Sequence, residues 1–441
     1  MRDTIDLDLI SLTDGLEEEC TSRMEGRVSR VVGLTVESLG PRISLGDLAW
    51  IETVENHAIK RVPAEVVGFQ EQSVLLMPVE RLGGVRPGSR VIPGGRLVAR
   101  AGASLLGRVL DGLGRPIDGG GEPAKTVPVN VDGQAPGPLQ RESLSEVFTT
   151  GVRALDGLTT CAKGQRLGIF AGSGVGKSVL LGSLARNSCA TVNVVALIGE
   201  RGREVTDFLR NSLGEEGLKK SVVVVATSDE SPLMRLKGAS TAMAIAEYFR
   251  DQGEHVLLLM DSVTRYGMAQ REVGLAVGEP PTTKGYPPSV FGMLARLLER
   301  SGAAAKGSIT AFYTVLVEAD DMNDPIADAA RSILDGHVAL SRDLAEANHY
   351  PAIDVLASLS RVMSSVVSEP HRQAAGKLRA LLSAYRKAED LINIGAYVAG
   401  SNPIIDEAVK KIEAINAFLK QPPDTAVPWD AMLNQLMKTV E

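Results

Sequence analysis

Residues 171 to 178 read AGSGVGKS. They follow the strand-like run Arg166, Leu167, Gly168, Ile169, Phe170 and precede the helical pattern Val179, Leu180, Leu181, Ser183, Leu184, so the order is strand, loop, helix. Gly172, Gly174 and Gly176 let the backbone turn tightly with its N–H groups converging on one point, which is what a polyphosphate needs from a loop that opens a helix. With Ser173 and Val175 between those glycines and Val179 after them, the expected nucleotide contacts run from Gly172 to Val179. Lys177 is placed to meet the β and γ phosphates. Ser178 offers a hydroxyl to Mg²⁺, a hard cation that prefers oxygen ligands and keeps most of its waters. Ala171 stands where the usual pattern begins with glycine, and a small residue suffices there. A glycine-rich turn that only joins strand to helix is the competing reading, which an eight-residue match in this context disfavours.

The rest of the chain is weighed against that site. At 441 residues it is too long for one ordinary core, so two or three domains are expected. A hydrophobic content of 44% with 23% charged residues fits a folded soluble protein. The net charge of -7 gives no global pull toward nucleic acid, and none is expected as a partner. Cys20, Cys161 and Cys189 are odd in number and lack metal-ligand spacing, which suits reduced thiols in a cytosol. His57, His255, His337, His349 and His371 are as scattered, and no structural metal is implied. The start, with Asp3, Asp6 and Asp8 beside one arginine, lacks the order of a secretory signal. Apolar runs such as Val222 to Ala226 are too short to cross a bilayer, so a cytoplasmic, peripheral protein is expected.

Residues 1 to 17 form a separate segment, a short helix or partner-binding tail on one reading and a partly ordered terminus on the other. From 18 to 95, β-branched runs at Arg27 to Val36, Asp47 to Val54, Val62 to Phe69 and Ser73 to Val79 predict a small β-barrel. From 96 to 364, after a glycine-rich passage at 102 to 120, apolar strands alternate with helical stretches. The strands are expected at Arg166 to Phe170, Val192 to Ile198, Val222 to Thr227, Val256 to Met260 and Ser308 to Thr314, which is the pattern of a mainly parallel sheet. From 365 to 441 a helical domain is expected, because Ala375, Leu378, Leu382, Tyr385, Ala388 and Ile392 recur at helical spacing. A second helix is expected from Pro403, and Pro422 and Pro423 interrupt the chain before a last segment around Trp429.

Other groups carry chemistry. HVLLLMD at 255 to 261 predicts a buried strand ending in Asp261, whose carboxylate faces the phosphate loop and can hold the Mg²⁺ water shell. A strand-end aspartate that caps the next helix is the bland alternative. LIGERGRE at 197 to 204 puts Glu200 and Arg201 at a strand tip. Glu200 reads two ways, as the base that polarises an attacking water or as part of a solvated cluster with Arg201, Arg203 and Glu204. Tyr350 is able to stack on a base and equally able to pack in a core. Arg361 alone reads as a surface arginine or an internal ion pair.

With AGSGVGKS, GERGRE, LLLMDSVTRYGMAQRE, GYPPSVF and YPAIDVLASLSR in this order, the chain resembles the rotary ATPase alpha/beta family over nearly all of residues 18 to 420. The resemblance implies a multidomain protein with an N-terminal small β-barrel, a central α/β P-loop (RecA-like) ATPase domain and a C-terminal α-helical domain. It further implies ATP and Mg²⁺ as ligands, Lys177 and Ser178 on phosphate and metal, Asp261 on the metal, and Glu200 as the water-activating carboxylate supported by Arg201. Tyr350 matches the adenine-stacking aromatic. Arg361 matches the arginine that a neighbouring subunit inserts toward the γ-phosphate, which requires a ring, and one chain carrying both Glu200 and Arg361 can build a homohexamer.

Within the family the tail at 371 to 412 looks like that of the flagellar protein-export ATPases, and injection-type secretion ATPases differ from it most at 392 to 403. The resemblance implies a stator-like regulator bound by the N-terminal segment, a stalk protein in the ring pore, export chaperones with their cargo, and a membrane export gate at the inner face of the bacterial cell membrane. Three other readings stay open here: an injection-type secretion ATPase, the catalytic subunit of a rotary ATP synthase, and a hexameric RNA translocase. The last needs a basic, aromatic accessory face, and residues 26 to 92 offer only Trp50 and Phe69.

Overall fold

Short β-branched runs punctuated by turns shape the first part of the molecule. The computed structural model describes residues 24–55, 58–317 and 324–441, so the acidic segment 1–17, with the regulator contact expected of it, and Cys20 lie outside the described residues. Strands β1 (Gly26–Val32), β2 (Thr35–Leu39), β3 (Leu48–Glu55), β4 (Ala58–Gln70), β5 (Ser73–Pro78) and β6 (Arg90–Gly95) close an antiparallel barrel in the order β1-β2-β5-β4-β3-β6. The run Arg27 to Val36, expected as one strand, breaks at Gly33 and Leu34 into the β1–β2 hairpin. Alternating side chains point inward, and Val28, Val36, Ile51, Val66, Leu76 and Val91 fill the barrel. This unit runs to Leu97 and includes Ala276–Gly278; the second compact unit holds the remainder, starting at Val98.

In the second unit β7 (Val98–Ala101) pairs with β9 (Val127–Asn130), and β10 (Val147–Phe148) with β11 (Cys161–Ala162), while β8 (Val109–Asp111) joins the main sheet. That sheet also takes β12 (Arg166–Ala171), β13 (Val192–Ile198), β14 (Ser221–Ala226), β15 (His255–Asp261), β17 (Ser308–Leu316), β18 (Gly336–Leu340) and β19 (Ile353–Ser360). The order is β19-β18-β12-β17-β15-β13-β14-β8, with the short β16 (Gly302–Ala303) on β17. All neighbours are parallel except β19 and β16. β13 and β14 are buried along their whole length, as strands covered on both faces must be, and this explains their unbroken valine runs.

The five strands expected in the main sheet are present, each within two residues of its predicted ends, whereas in the barrel β4 starts four residues before the expected Val62; β18 and β19 were not foreseen. They are the last two strands on one side of the sheet and leave alternate side chains only half-buried in β18 and half-buried or exposed in β19, so they lack the continuous apolar run that marks a central strand. The tail is helical as expected, with helices Glu369–Asn393, Pro403–Leu419 and Trp429–Val440. Asn402 starts the second by accepting from the N–H groups of Ile404 and Ile405, and Pro403 occupies a first-turn position whose N–H has no helical partner. Ala375, Leu378, Leu382 and Ala388 are buried, while Tyr385 and Ile392 are only half-buried. Among the described residues no helix is long and apolar enough to cross a membrane.

Candidate active site

Parallel strands end on the same edge of a sheet, so the tips of β12, β13 and β15 converge there. β12 delivers the loop Gly172–Gly176 into the helix Lys177–Asn187. Gly176, the residue before that helix, holds φ 86°, and a Cβ there would lie 3.3 Å from Tyr350 Cε1. A side chain there is strained by the backbone conformation and would press on the ring packed against it. Val175 is buried in the core, while Ser173, Ser178 and Val179 are exposed, Ser178 in the first helical turn.

Lys177 is the centre of the charge arrangement. Its Nζ donates to Asp261 Oδ1 at 2.6 Å and to Glu200 Oε1 at 3.3 Å. Burial disfavours the ammonium, but the two carboxylates outweigh that and hold its pKa above the usual lysine value. Glu200 is pushed up to about 7, first by burial and then by the charge of Asp261, with Lys177 opposing. A carboxylate poised near neutrality is what a general base needs.

Four side chains that sequence reading did not assign complete the surroundings. Thr314, buried on β17, donates its hydroxyl to Asp261 Oδ1 at 2.6 Å. Glu204, one helical turn beyond Glu200, hydrogen-bonds to its carboxyl and is itself held below the usual carboxylate range by that bond. Arg265, four residues after Asp261, packs its stem against Gly199, where φ is 75° and a Cβ would lie 2.7 Å from Arg265 Cβ. Its Nε is buried with no protein partner. Gln421, from the connector after the helix Pro403–Leu419, reaches the Tyr350 backbone, its N–H donating to Tyr350 O at 2.9 Å. Glu204 had been read in LIGERGRE only as a member of a charged cluster with Glu200, Arg201 and Arg203, and Arg265 stood in LLLMDSVTRYGMAQRE, where spacing could have raised it; Thr314 and Gln421 are brought in by topology alone.

The remaining expected residues separate. Tyr350, 40% exposed, forms one wall of a cavity of about 290 Å³ that Val175, Gly176, Val179 and Leu180 border from the phosphate-loop side. Arg201 is exposed and pairs with Glu204 at 3.6 Å rather than with Glu200. Arg361 is remote from the loop of its own chain. Its N–H donates to Asp335 O, and Asp335 N–H donates to Arg166 O at the start of β12, the opposite end of that strand from the phosphate loop. Rise along the six residues of β12 alone sets a separation of roughly 15–20 Å.

Asp261 and Ser178 offer oxygen ligands, and among the described residues no group of three His, Cys, Asp or Glu side chains could hold a metal ion. Two carboxylates face one ammonium here, leaving surplus negative charge. That fits a hard dication held partly by phosphate and water, and fits no all-protein cage.

The chain is similar to known proteins along most of its length. The ATP synthase alpha/beta family, nucleotide-binding domain, matches residues 151–360, and the T3SS EscN ATPase C-terminal domain matches residues 367–438. The chain is 54% identical to a flagellum-specific ATP synthase of Bacillus subtilis, covering 94% of both chains. It is 52% identical to a type 3 secretion system ATPase of Xanthomonas euvesicatoria, covering 95% of both. The structure of the assembled ATPase EscN in complex with its central stalk EscO, from enteropathogenic E. coli, superposes with a TM-score of 0.87 at 45% identity, covering 94% of this chain and all of that one. The chain belongs to the ATP synthase alpha/beta family, in the group of flagellum-specific ATP synthases and type 3 secretion system ATPases.

Proposed function

We propose that this chain is a Mg²⁺-dependent ATP hydrolase that energises type III export of flagellar proteins as a homohexameric ring. The observation that carries the reading is Lys177 held between Asp261 and Glu200 at the mouth of the phosphate loop. Lys177 and the N–H groups of Gly172–Gly176 bind the triphosphate. Tyr350 stacks on the base. Glu200 polarises the attacking water and takes up its proton, a role its raised pKa supports. Ser178 and Asp261 would hold Mg²⁺, which when bound offsets charge on the β and γ phosphates. Arg361, far from its own loop, serves the site of the next copy, and Arg201 braces the Glu200 turn through Glu204.

The partners follow from the same reading. A stalk protein in the ring pore is supported by the EscN relative, which was solved with its central stalk. A stator-like regulator, export chaperones with cargo, and a membrane export gate complete the assembly, placing the ring in the cytoplasm at the inner face of the cell membrane. The test of the enzyme is phosphate release by the purified chain with Mg-ATP. Specific activity is expected to climb cooperatively with protein concentration, and concentration-independent turnover by monomers would overturn the ring. Deletion in the source cell tests the cargo: loss of the flagellar filament is expected, and an intact filament would overturn the flagellar assignment.

A further inference from the structure

Beside Arg361 stands a second arginine whose charge is also unspent. The helix Pro325–Ile333 packs on β12, and its last turn carries Arg331. The Arg331 guanidinium lies 5.5 Å from the centre of the Phe170 ring, within reach of a cation–π contact. Gly168 makes room for that ring, because a Cβ there would lie 2.5 Å from Phe170 Cε2. Nε of Arg331 is buried without a hydrogen-bond partner, so the aromatic face holds this side chain where no acceptor does. Phe170 is the last residue but one of β12, and the contact pins helix to strand just before the phosphate loop.

The carbonyl of the same residue meets Arg361. Arg361 Nη2 donates to Arg331 O at 3.3 Å, a long bond for an N–H donor. Asp335, whose carbonyl accepts the Arg361 N–H, has its carboxylate spent elsewhere: Oδ1 accepts from Arg166 Nη2 and Oδ2 from Arg166 N and Nε, each at 3.0 Å. Among the described residues neither Arg331 nor Arg361 has an ion-pair partner. His337 lies edge-on to Phe170 at 5.7 Å and feels both arginines. Burial holds its pKa below the usual histidine value and the two cations push the same way, against the bond to Ala357 O, so the imidazole adds no third charge at pH 7. Arg361 is exposed and Arg331 half-buried, and two uncompensated guanidinia at one surface suit an anion brought to it.

We propose that Arg331 is the positioning residue of Arg361: anchored on Phe170, it restrains the Arg361 side chain through a backbone carbonyl and leaves that guanidinium's charge for the triphosphate of the neighbouring copy. The inference rests on the ring reading given above. A neutral carbonyl gives up a guanidinium readily, whereas a carboxylate binds it about twice as strongly and would compete with phosphate. The effect of Arg331 is therefore felt on the side of the interface that donates Arg361, although its side chain rests on the strand that feeds its own phosphate loop. Those two sides can be told apart.

The experiment measures Mg-ATP hydrolysis by the full chain and its variants, alone and mixed in equal amounts, with mixed rings verified by crosslinking. Arg331→Ala, which suits a helix, is expected to lower kcat about 10- to 100-fold, the size that a small misplacement of a reacting group causes, and to leave KM for ATP unchanged. Mixed with Glu200→Gln it is expected to regain turnover, because the glutamine copy still offers an intact Arg331 and Arg361 to an intact Glu200. Mixed with Arg361→Ala it is expected to gain nothing, because both copies are impaired as donors. The reverse pattern, rescue by Arg361→Ala and none by Glu200→Gln, would place the loss in the chain's own phosphate loop and overturn the proposal. So would a wild-type kcat in Arg331→Ala, or a raised KM with kcat kept. Should the alanine variant fold poorly, Arg331→Gln keeps the stem and a flat end group without the charge, and the same outcomes are expected of it. Arg361→Ala mixed with Glu200→Gln is the control. If that mixture stays inactive, the shared site itself falls; if it regains turnover while Arg331→Ala with Glu200→Gln does not, only the role of Arg331 falls.

Discussion

Arg361 and Lys177 lie at opposite ends of one strand. Arg361 is tied through Asp335 to the first residue of β12, and Lys177 follows the loop that leaves its last. On the role proposed for Arg361, this layout has it act at the phosphate site of a neighbouring copy. Arg361→Ala and Glu200→Gln are each expected to hydrolyse ATP roughly a thousandfold more slowly than wild type. Mixed in equal amounts they are expected to regain turnover, because an interface pairing an intact Glu200 with an intact Arg361 is wild type in composition. Mixed rings verified by crosslinking that stayed inactive would rule out the shared site.

Glu200→Gln also has a signature without ATP. The carboxyl titrates near 7 in the folded chain, above its ordinary range, so the native state binds that proton more tightly than the unfolded state does. Stability is therefore lost as pH rises from the ordinary glutamate range through about 7, and glutamine abolishes the loss. Relative to wild type, the variant is expected to melt at an unchanged temperature near pH 5 and at a higher one near pH 8. Lys177 keeps Asp261 at 2.6 Å in either protein, so the ammonium is not stranded. Equal melting-temperature differences at both pH values would show that Glu200 is not titrating in this window. Nucleotide binding is expected to persist throughout.

The fold was legible where periodicity is strong. β13 and β14 announce themselves as unbroken apolar runs because both faces are covered, and the barrel strands because one face is. β18 and β19 were missed because a sheet margin needs no such run. At the site, the glycine loop and the strand-end Asp261 follow from local chemistry, whereas Tyr350 and Arg361 take a role only from the family resemblance. Thr314 and Gln421 were invisible for a different reason. Each acts across the chain, Thr314 from the strand between β12 and β15 and Gln421 from a connector about 70 residues after Tyr350, and no local pattern encodes such a meeting. The prolines at 422 and 423, read as interruptions, form a cavity wall.

Thr314 yields a prediction of its own. Its hydroxyl and the Lys177 ammonium both donate to Oδ1 of Asp261, which restrains the carboxylate at that oxygen. Thr314→Val keeps the shape and removes one of the two donors, so Asp261 is expected to hold its orientation less well. Partners of this kind typically change metal affinity 10- to 100-fold. The Mg²⁺ concentration for half-maximal ATP hydrolysis is expected to rise by about tenfold, with maximal turnover at saturating Mg²⁺ nearly restored. An unchanged Mg²⁺ dependence would mean that Asp261 needs no help from β17. Thr314→Ser, which keeps the hydroxyl, is expected to stay close to wild type.

Tyr350 separates binding from chemistry. Its ring lies against Gly176, and it borders the cavity in which the base is proposed to sit, whose lining includes neither Glu200 nor Asp261. An interaction with the base is made equally before and during phosphate transfer, so its loss raises KM and leaves kcat nearly unchanged. Base stacking on an aromatic ring contributes about 1–3 kcal/mol, which corresponds to a rise in KM of roughly 5- to 150-fold for Tyr350→Ala. Tyr350→Phe keeps the ring and is expected to match wild type, because the stacking face survives the loss of the hydroxyl. A fall in kcat for Tyr350→Ala at saturating ATP, with KM unmoved, would place the ring in the reaction itself and remove it from the base site.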